Sequence, residues 1–173
     1  MSRPDGLFVA ARGEGPAVLL LHGQPGVHEH LLPVADLLVH DHLTLCVDRP
    51  GYGRSARGPM GVVAQADLFA ELLEEAADGP AVVIAHSYAG AIALTLADHH
   101  PELVSGLVLA ASVGGAGSVE LPDRVLAAPL VGRLGCDASL LLYGLLGPIA
   151  GRLPGLYQAA GDMPTTPTLA LLE

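Results

Sequence analysis

Five short stretches of the chain are apolar throughout or alternate apolar with polar at a period of two, and segments with a helical period separate most of them. Leu7 to Ala11 is a short run and Ala17 to Leu21 a stronger one. Within His42 to Asp48, Leu43, Leu45 and Val47 alternate with Thr44 and Cys46. Ala81 to Ala85 contains two valines and an isoleucine, and Leu103 to Ala111 closes the series. Runs of this length and branching predict strands, and the uninterrupted ones predict strands covered on both faces.

The intervening segments predict helices. Glu29 to His40 carries Leu31, Leu32, Val34, Ala35, Leu37 and Leu38, with Pro33 placed for a first helical turn. Gly61 to Asp78 is amphipathic, with Asp67, Glu71, Glu74, Glu75 and Asp78 on one side and Val63, Ala66, Ala70, Leu73 and Ala77 on the other. Tyr88 to His100 starts as a helix directly after the fourth apolar run. Strands alternating with helices predict an α/β fold with a mostly parallel sheet flanked by helices. From Ser112 the character changes to a glycine-rich link, a leucine-rich region interrupted by proline and glycine, and a tail that mixes Pro and Thr with the apolar stub Leu169 to Leu172.

Composition narrows the function classes. At 173 residues the chain is expected to be one globule with its own core. Its formal charge of −10, with no Lys/Arg cluster, argues against nucleic acid and anionic membrane surfaces as partners. Within the leucine-rich region Leu121 to Leu153, the longest uncharged run, Ala138 to Gly151, is too short to span a bilayer and contains Pro148. Cys46 and Cys136 form neither a disulfide framework nor a metal spacing, and the first residues lack the apolar core of a signal peptide, so a cytoplasmic location is expected. The pairs His28/His30, His40/His42 and His99/His100 have no third ligand nearby in sequence and are expected at the surface; no metal or cofactor is expected.

Three stretches carry candidate chemistry. In Pro80 to Gly90, Ser87 sits where a strand turns into a helix within one or two residues, flanked by the small Ala85, Ala89 and Gly90. Such a turn forces a strained backbone and lifts a side chain above the sheet; the competing reading of Ser87 is a helix N-cap. His22-Gly23-Gln24-Pro25-Gly26 is a sharply turned loop at the end of a buried strand, where ligands bind in open α/β sheets. Asp48-Arg49-Pro50-Gly51-Tyr52-Gly53-Arg54-Ser55 follows the third strand. Its glycines suit positive φ or close backbone approach, and Asp48 is expected to tie the loop by hydrogen bonds.

In this order and spacing the H-G-x-P loop, the D-x-x-G-x-G-x-S loop and the serine elbow resemble the α/β-hydrolase family, over Leu7 to Ser112. At the elbow both outer glycines of G-x-S-x-G are alanine, with Gly90 one place later. The resemblance implies that Ser87 is the nucleophile and that the backbone N–H groups of Gln24 and Tyr88 form the oxyanion hole. It gives His22, Gly23, Asp48, Gly51, Gly53, His86 and Gly90 structural roles, His86 pointing away from the hydroxyl. It also implies that residues 1–112 hold the first six strands of the core and that 113–173 form a linker, a partial helical lid and a tail. A serine at the elbow points to acyl transfer on an ester, amide or related apolar carbonyl compound, not to relatives that use an aspartate nucleophile.

The family's triad runs Ser, then Asp or Glu, then His, on late strand ends. The last histidine of this chain is His100, and Ser112-Val113-Gly114 offers no carboxylate. The expectation is a C-terminally truncated serine hydrolase, itself close to inactive; the alternative is a non-catalytic relative that binds a ligand or partner. Without later strands, Leu103 to Ala111 is expected to leave an open sheet edge prone to self-association.

Overall fold

The structure, a computed structural model, describes residue 4 and residues 6–113. Apart from Val113, the lid and tail expected over 113–173, and Cys136 with them, lie outside the described residues. The described chain runs β1 (Phe8–Arg12), β2 (Ala17–Leu21), α1 (Leu32–Leu38), β3 (Leu43–Asp48), α2 (Val62–Ala76), β4 (Ala81–His86), α3 (Ala89–His99) and β5 (Val104–Ala110). The strands form one sheet in the order β1-β3-β2-β4-β5. β1 is antiparallel to β3, and all other pairs are parallel.

Alternation along each strand divides two cores between the faces of the sheet. Leu19 and Leu21 of β2, Leu45 and Val47 of β3 and Val83 and Ala85 of β4 pack with Phe69 and Leu72 of α2 and Ile92 and Leu96 of α3. Val18, Leu20 and Cys46 pack with Ala35 of α1 on the other face. Successive strand residues point to opposite faces, so β2, the central strand with a core on each face, is apolar throughout.

The crossover sense decides where a site can lie. From β2 the chain crosses to β3 on one side, and then returns to place β4 on β2's other side. The sheet order reverses between β2 and β4, and in open α/β sheets ligands bind beyond the strand C-termini at that reversal. Leu21 is in register with Ala85 there, so the loops that begin at His22 and Ser87 start side by side.

Four expectations are corrected. The described residues hold five strands where six were expected in 1–112; five apolar runs are what this segment contains. The first helix is split into a 3-10 turn, His28–Leu31, and a seven-residue α1 in which Val34 and Leu37 are exposed and Ala35 alone is buried. The four acidic positions on α2 and Asp78 just beyond it lie outward as expected, but Val63 is exposed and Gln65 is buried. His28 is buried, because Asp48 draws its backbone inward.

Candidate active site

Ser87 has φ 53, a left-handed conformation that disfavours a residue with a Cβ. Ser87 lacks the extended backbone of a capping residue, and the residue that directly precedes α3 is Tyr88, without a side-chain cap, so the capping reading of Ser87 does not hold. Strain of this kind persists only where the surroundings over-determine it. The end of β5 and the segment after it do so here: the Ser87 N–H donates to Ala110 O at 3.0 Å, and Ser87 O accepts from the Val113 N–H at 3.1 Å. The Ser112 hydroxyl donates to Ala85 O at 3.0 Å, and a Cβ on Gly90 would fall 2.3 Å from the Ser112 Cβ. The close approach of α3 to this turn therefore requires glycine at Gly90.

The loop after β2 lies against the same serine. A Cβ on Gly23 would come within 2.8 Å of the Ser87 Cβ and 2.9 Å of His86 Nδ1, so only glycine lets the two loops meet. His22 is buried with both ring nitrogens engaged: Nδ1 donates to Gly23 O at 2.8 Å, and Nε2 accepts from the Arg49 N–H at 3.0 Å. Burial, followed by the Arg49 charge, pushes its pKa down to about 3, so the ring is neutral. With its acceptor nitrogen held by a backbone N–H, His22 cannot take a proton from Ser87.

The loop after β3 is tied from within by Asp48, which is fully buried. Its Oδ1 accepts from the His28 N–H at 2.7 Å and its Oδ2 from the Arg54 N–H at 2.9 Å, while its own carbonyl accepts from the Ser55 hydroxyl at 2.5 Å. Gly53 has φ 51, and a Cβ there would meet the Asp48 carboxylate. Gly51 also has positive φ and packs against Pro59. Asp48 thus does what the loop pattern implied: it replaces solvent for two backbone donors.

His28, Glu29 and Asp48 bring ligand-type atoms within 4.8 Å of one another, a convergence that the separation of 20 residues hid from the sequence. His28 Nδ1 lies 2.9 Å from Glu29 Oε2 and 3.0 Å from Asp48 Oδ2. Both Asp48 oxygens already serve backbone donors, so this cluster reads as part of the loop's framework.

Sequence reasoning gave no role to Arg49, which is fully buried. Its guanidinium reaches the loop after β2, Gln65 on α2 and the rings of Tyr52 and Tyr88. The available signal was indirect, since a glutamine inside the apolar stripe of α2 needs a polar partner. Gln65 Nε2 donates to Met60 O at 2.7 Å, and Oε1 faces Arg49 Nη1 at 3.3 Å.

Comparison with known proteins points one way. A family model described as alpha/beta hydrolase fold matches residues 16–142. The chain is 37% identical over 123 residues to Lipase LipV of Mycobacterium tuberculosis, covering 66% of this chain and 46% of the lipase. It is 38% identical over 107 residues to a pimeloyl-[acyl-carrier protein] methyl ester esterase of Chromobacterium violaceum, covering 61% and 41%. A crystal structure of a hydrolase from Pseudomonas aeruginosa PA01 superposes with a TM-score of 0.71 at 22% identity, covering 96% of this chain and 68% of that one. The chain spans about half the length of the curated relatives it matches.

Proposed function

The chain belongs to the alpha/beta hydrolase fold family, and on that premise we propose that Ser87 is the nucleophile of a serine hydrolase acting on an ester, amide or related carbonyl compound. The observation that carries this reading is the positive φ of Ser87 at the sheet's reversal point, a strain that a structural serine would not need. The two curated relatives named as lipase and methyl ester esterase support the same class.

In this reading Ser87 Oγ bonds to the substrate carbonyl carbon while its proton passes to a base. The carbonyl π pair moves onto oxygen, and the N–H groups of Gln24 and Tyr88 hold that oxyanion. Collapse expels the alkoxide or amine, which takes up the proton, and water then releases the acyl group from Ser87 by the same route. Among the described residues the Gln24 N–H has no hydrogen-bond partner, which leaves it available for an oxyanion. A small apolar substrate and a cytoplasmic location belong to the same reading; no helix of the described residues is long and apolar enough to cross a membrane.

A non-catalytic ligand binder is the competing reading. It draws on one observation: both ring nitrogens of His22, the histidine of the loop beside Ser87, are engaged. In a studied serine protease, loss of the histidine alone lowers kcat by about 10⁶, while the remaining hole and binding still give roughly 10³ to 10⁴ over water. The test is p-nitrophenyl acetate turnover by the 173-residue chain, its Ser87→Ala variant and a longer chain carrying a late Asp and His. Slow turnover by the first, rapid turnover by the last and loss of both on Ser87→Ala are expected. Turnover in the longer chain that survives Ser87→Ala would refute the nucleophile assignment.

A further inference from the structure

The buried guanidinium of Arg49 is balanced in an unusual way. Among the described residues the ion pairs involve Arg12, His28 and His100, and none supplies Arg49 with a carboxylate. Its partners are carbonyl dipoles and aromatic faces instead. Nε donates to His22 O at 2.9 Å and Nη2 to Gly23 O at 2.9 Å, and the guanidinium carbon lies 4.6 Å from the Tyr52 ring centroid and 4.9 Å from that of Tyr88. Desolvation lowers its pKa and the two tyrosines oppose that change. Taking a charge out of water costs several kcal/mol even after relaxation, so a buried cation balanced by dipoles and rings alone among the described residues calls for an account of what it does.

The geometry of one peptide unit supplies that account. Gly23 O accepts from Arg49 Nη2 and also from His22 Nδ1, which fixes both of its lone-pair directions. The Gly23–Gln24 peptide is trans, the cis bond of this loop being Gln24–Pro25. In a planar trans peptide the N–H points opposite to the C=O, so anchoring Gly23 O on the guanidinium turns the Gln24 N–H away from it. A charge-assisted bond on the carbonyl also polarises the amide and strengthens its N–H as a donor. Tyr88, which carries the other candidate donor, stacks on the same guanidinium.

We propose that Arg49 is the positioning residue of the oxyanion hole: it aims the Gln24 N–H by holding Gly23 O, and it places a fixed positive charge behind both donors. This rests on the reading of Ser87 as nucleophile. The charge should favour the acylation transition state, where the oxyanion forms, over the neutral bound ester.

The test measures kcat, KM and the mass of acyl-Ser87 with p-nitrophenyl acetate on the 173-residue chain and on Arg49→Lys, Arg49→Gln and Ser87→Ala. Loss of one oxyanion donor costs about 10²- to 10³-fold in kcat, so removing a charge that acts through the donors should cost about 10- to 100-fold, with KM nearly unchanged. Arg49→Lys, which keeps the charge but not the fork, should fall between that variant and the parent. Equal loss in both variants, or no loss in Arg49→Gln, would overturn the proposal. If Arg49→Gln does not fold, the decision passes to Arg49→Lys, where a KM change as large as the kcat change, or failure to fold, assigns the residue to the fold alone and has the same effect. Where the parent forms too little acyl-Ser87 to compare, the same variants are read in the longer chain with a late Asp and His; no acyl-Ser87 there would remove the nucleophile reading itself, and this is distinct from a Ser87-dependent signal that ignores Arg49.

Discussion

β2 and β5 are similarly rich in apolar residues, yet their fates in the fold are opposite. All five residues of β2 are buried, whereas no residue of β5 is, and Val108 and Leu109 are 49% and 42% exposed. β2 has strands on both sides and helix-borne cores on both faces. β5 has only β4 beside it among the described residues. An apolar run therefore reports that a strand is built for an interior, and its neighbours decide whether it obtains one. The two strands still meet at the site: β2 leads into the loop that reaches Ser87, and the end of β5, with Val113 after it, holds the strained backbone of Ser87 by its N–H and its C=O.

The sharpest way to break the comparison is to truncate the covered strand. Leu19→Ala removes a fully buried side chain between α2 and the sheet, where neighbours on two sides prevent collapse. It should cost about 2–5 kcal/mol. Urea unfolding followed by circular dichroism checks this, and a loss below about 1 kcal/mol would mean that the centre of the sheet is less tightly packed than its burial implies.

Much of this arrangement was legible in the sequence, and the physical reason is locality. The strand at Ala17–Leu21 has the bounds its apolar run indicated, and those at Leu43–Asp48 and Ala81–His86 differ from the expected bounds by one residue, because period and branching are written within a few residues. The strained turn at Ser87 was legible for the same reason: a strand cannot become a helix in one step without strain. The burial of Arg49 was not, since its partners His22, Gly23 and Gln65 lie 16 to 27 residues away and arginine ordinarily signals surface. His28 was misread on similar grounds, its burial depending on Asp48. Val63 fits the apolar stripe of α2 by period, but it sits in the first turn, and that end of the helix leaves it uncovered.

The junction between β2 and its loop gives a smaller, pH-dependent effect. His22 is held neutral with a pKa of about 3, against 6.5 in an unfolded chain. Below pH 6.5 the unfolded state gains a proton that the folded state refuses, so the stability due to His22 is complete above that pH and is lost as pH falls toward 3. At about 1.4 kcal/mol per unit, moving from pH 7 to pH 5 should cost roughly 2 kcal/mol through this residue. The measurement is the difference in pH slope between the parent and His22→Gln in urea titrations. Equal slopes over that range would show that the imidazole is protonated in the folded state too.

On the exposed strand the same kind of substitution should hardly register in stability. Leu109→Lys exchanges a partly exposed leucine at the sheet edge for a side chain that can keep its charge in water, and surface changes of this kind stay within about 0.5 kcal/mol. Its effect should lie in association instead. Leu107, Val108 and Leu109 pair with β4 through one set of backbone groups, and among the described residues nothing occupies the other set. An apolar strand with free ladder groups is a template for a second chain, and lysine on such an edge opposes pairing by charge and by desolvation cost. We therefore expect the 173-residue chain to show concentration-dependent association in light scattering, and Leu109→Lys to reduce it while the urea midpoint stays fixed. A parent chain that remains a dispersed monomer at high micromolar concentration would show that the outer side of β5 is covered in the whole molecule. The contrast with β2 would then concern the described residues alone and not the protein in solution.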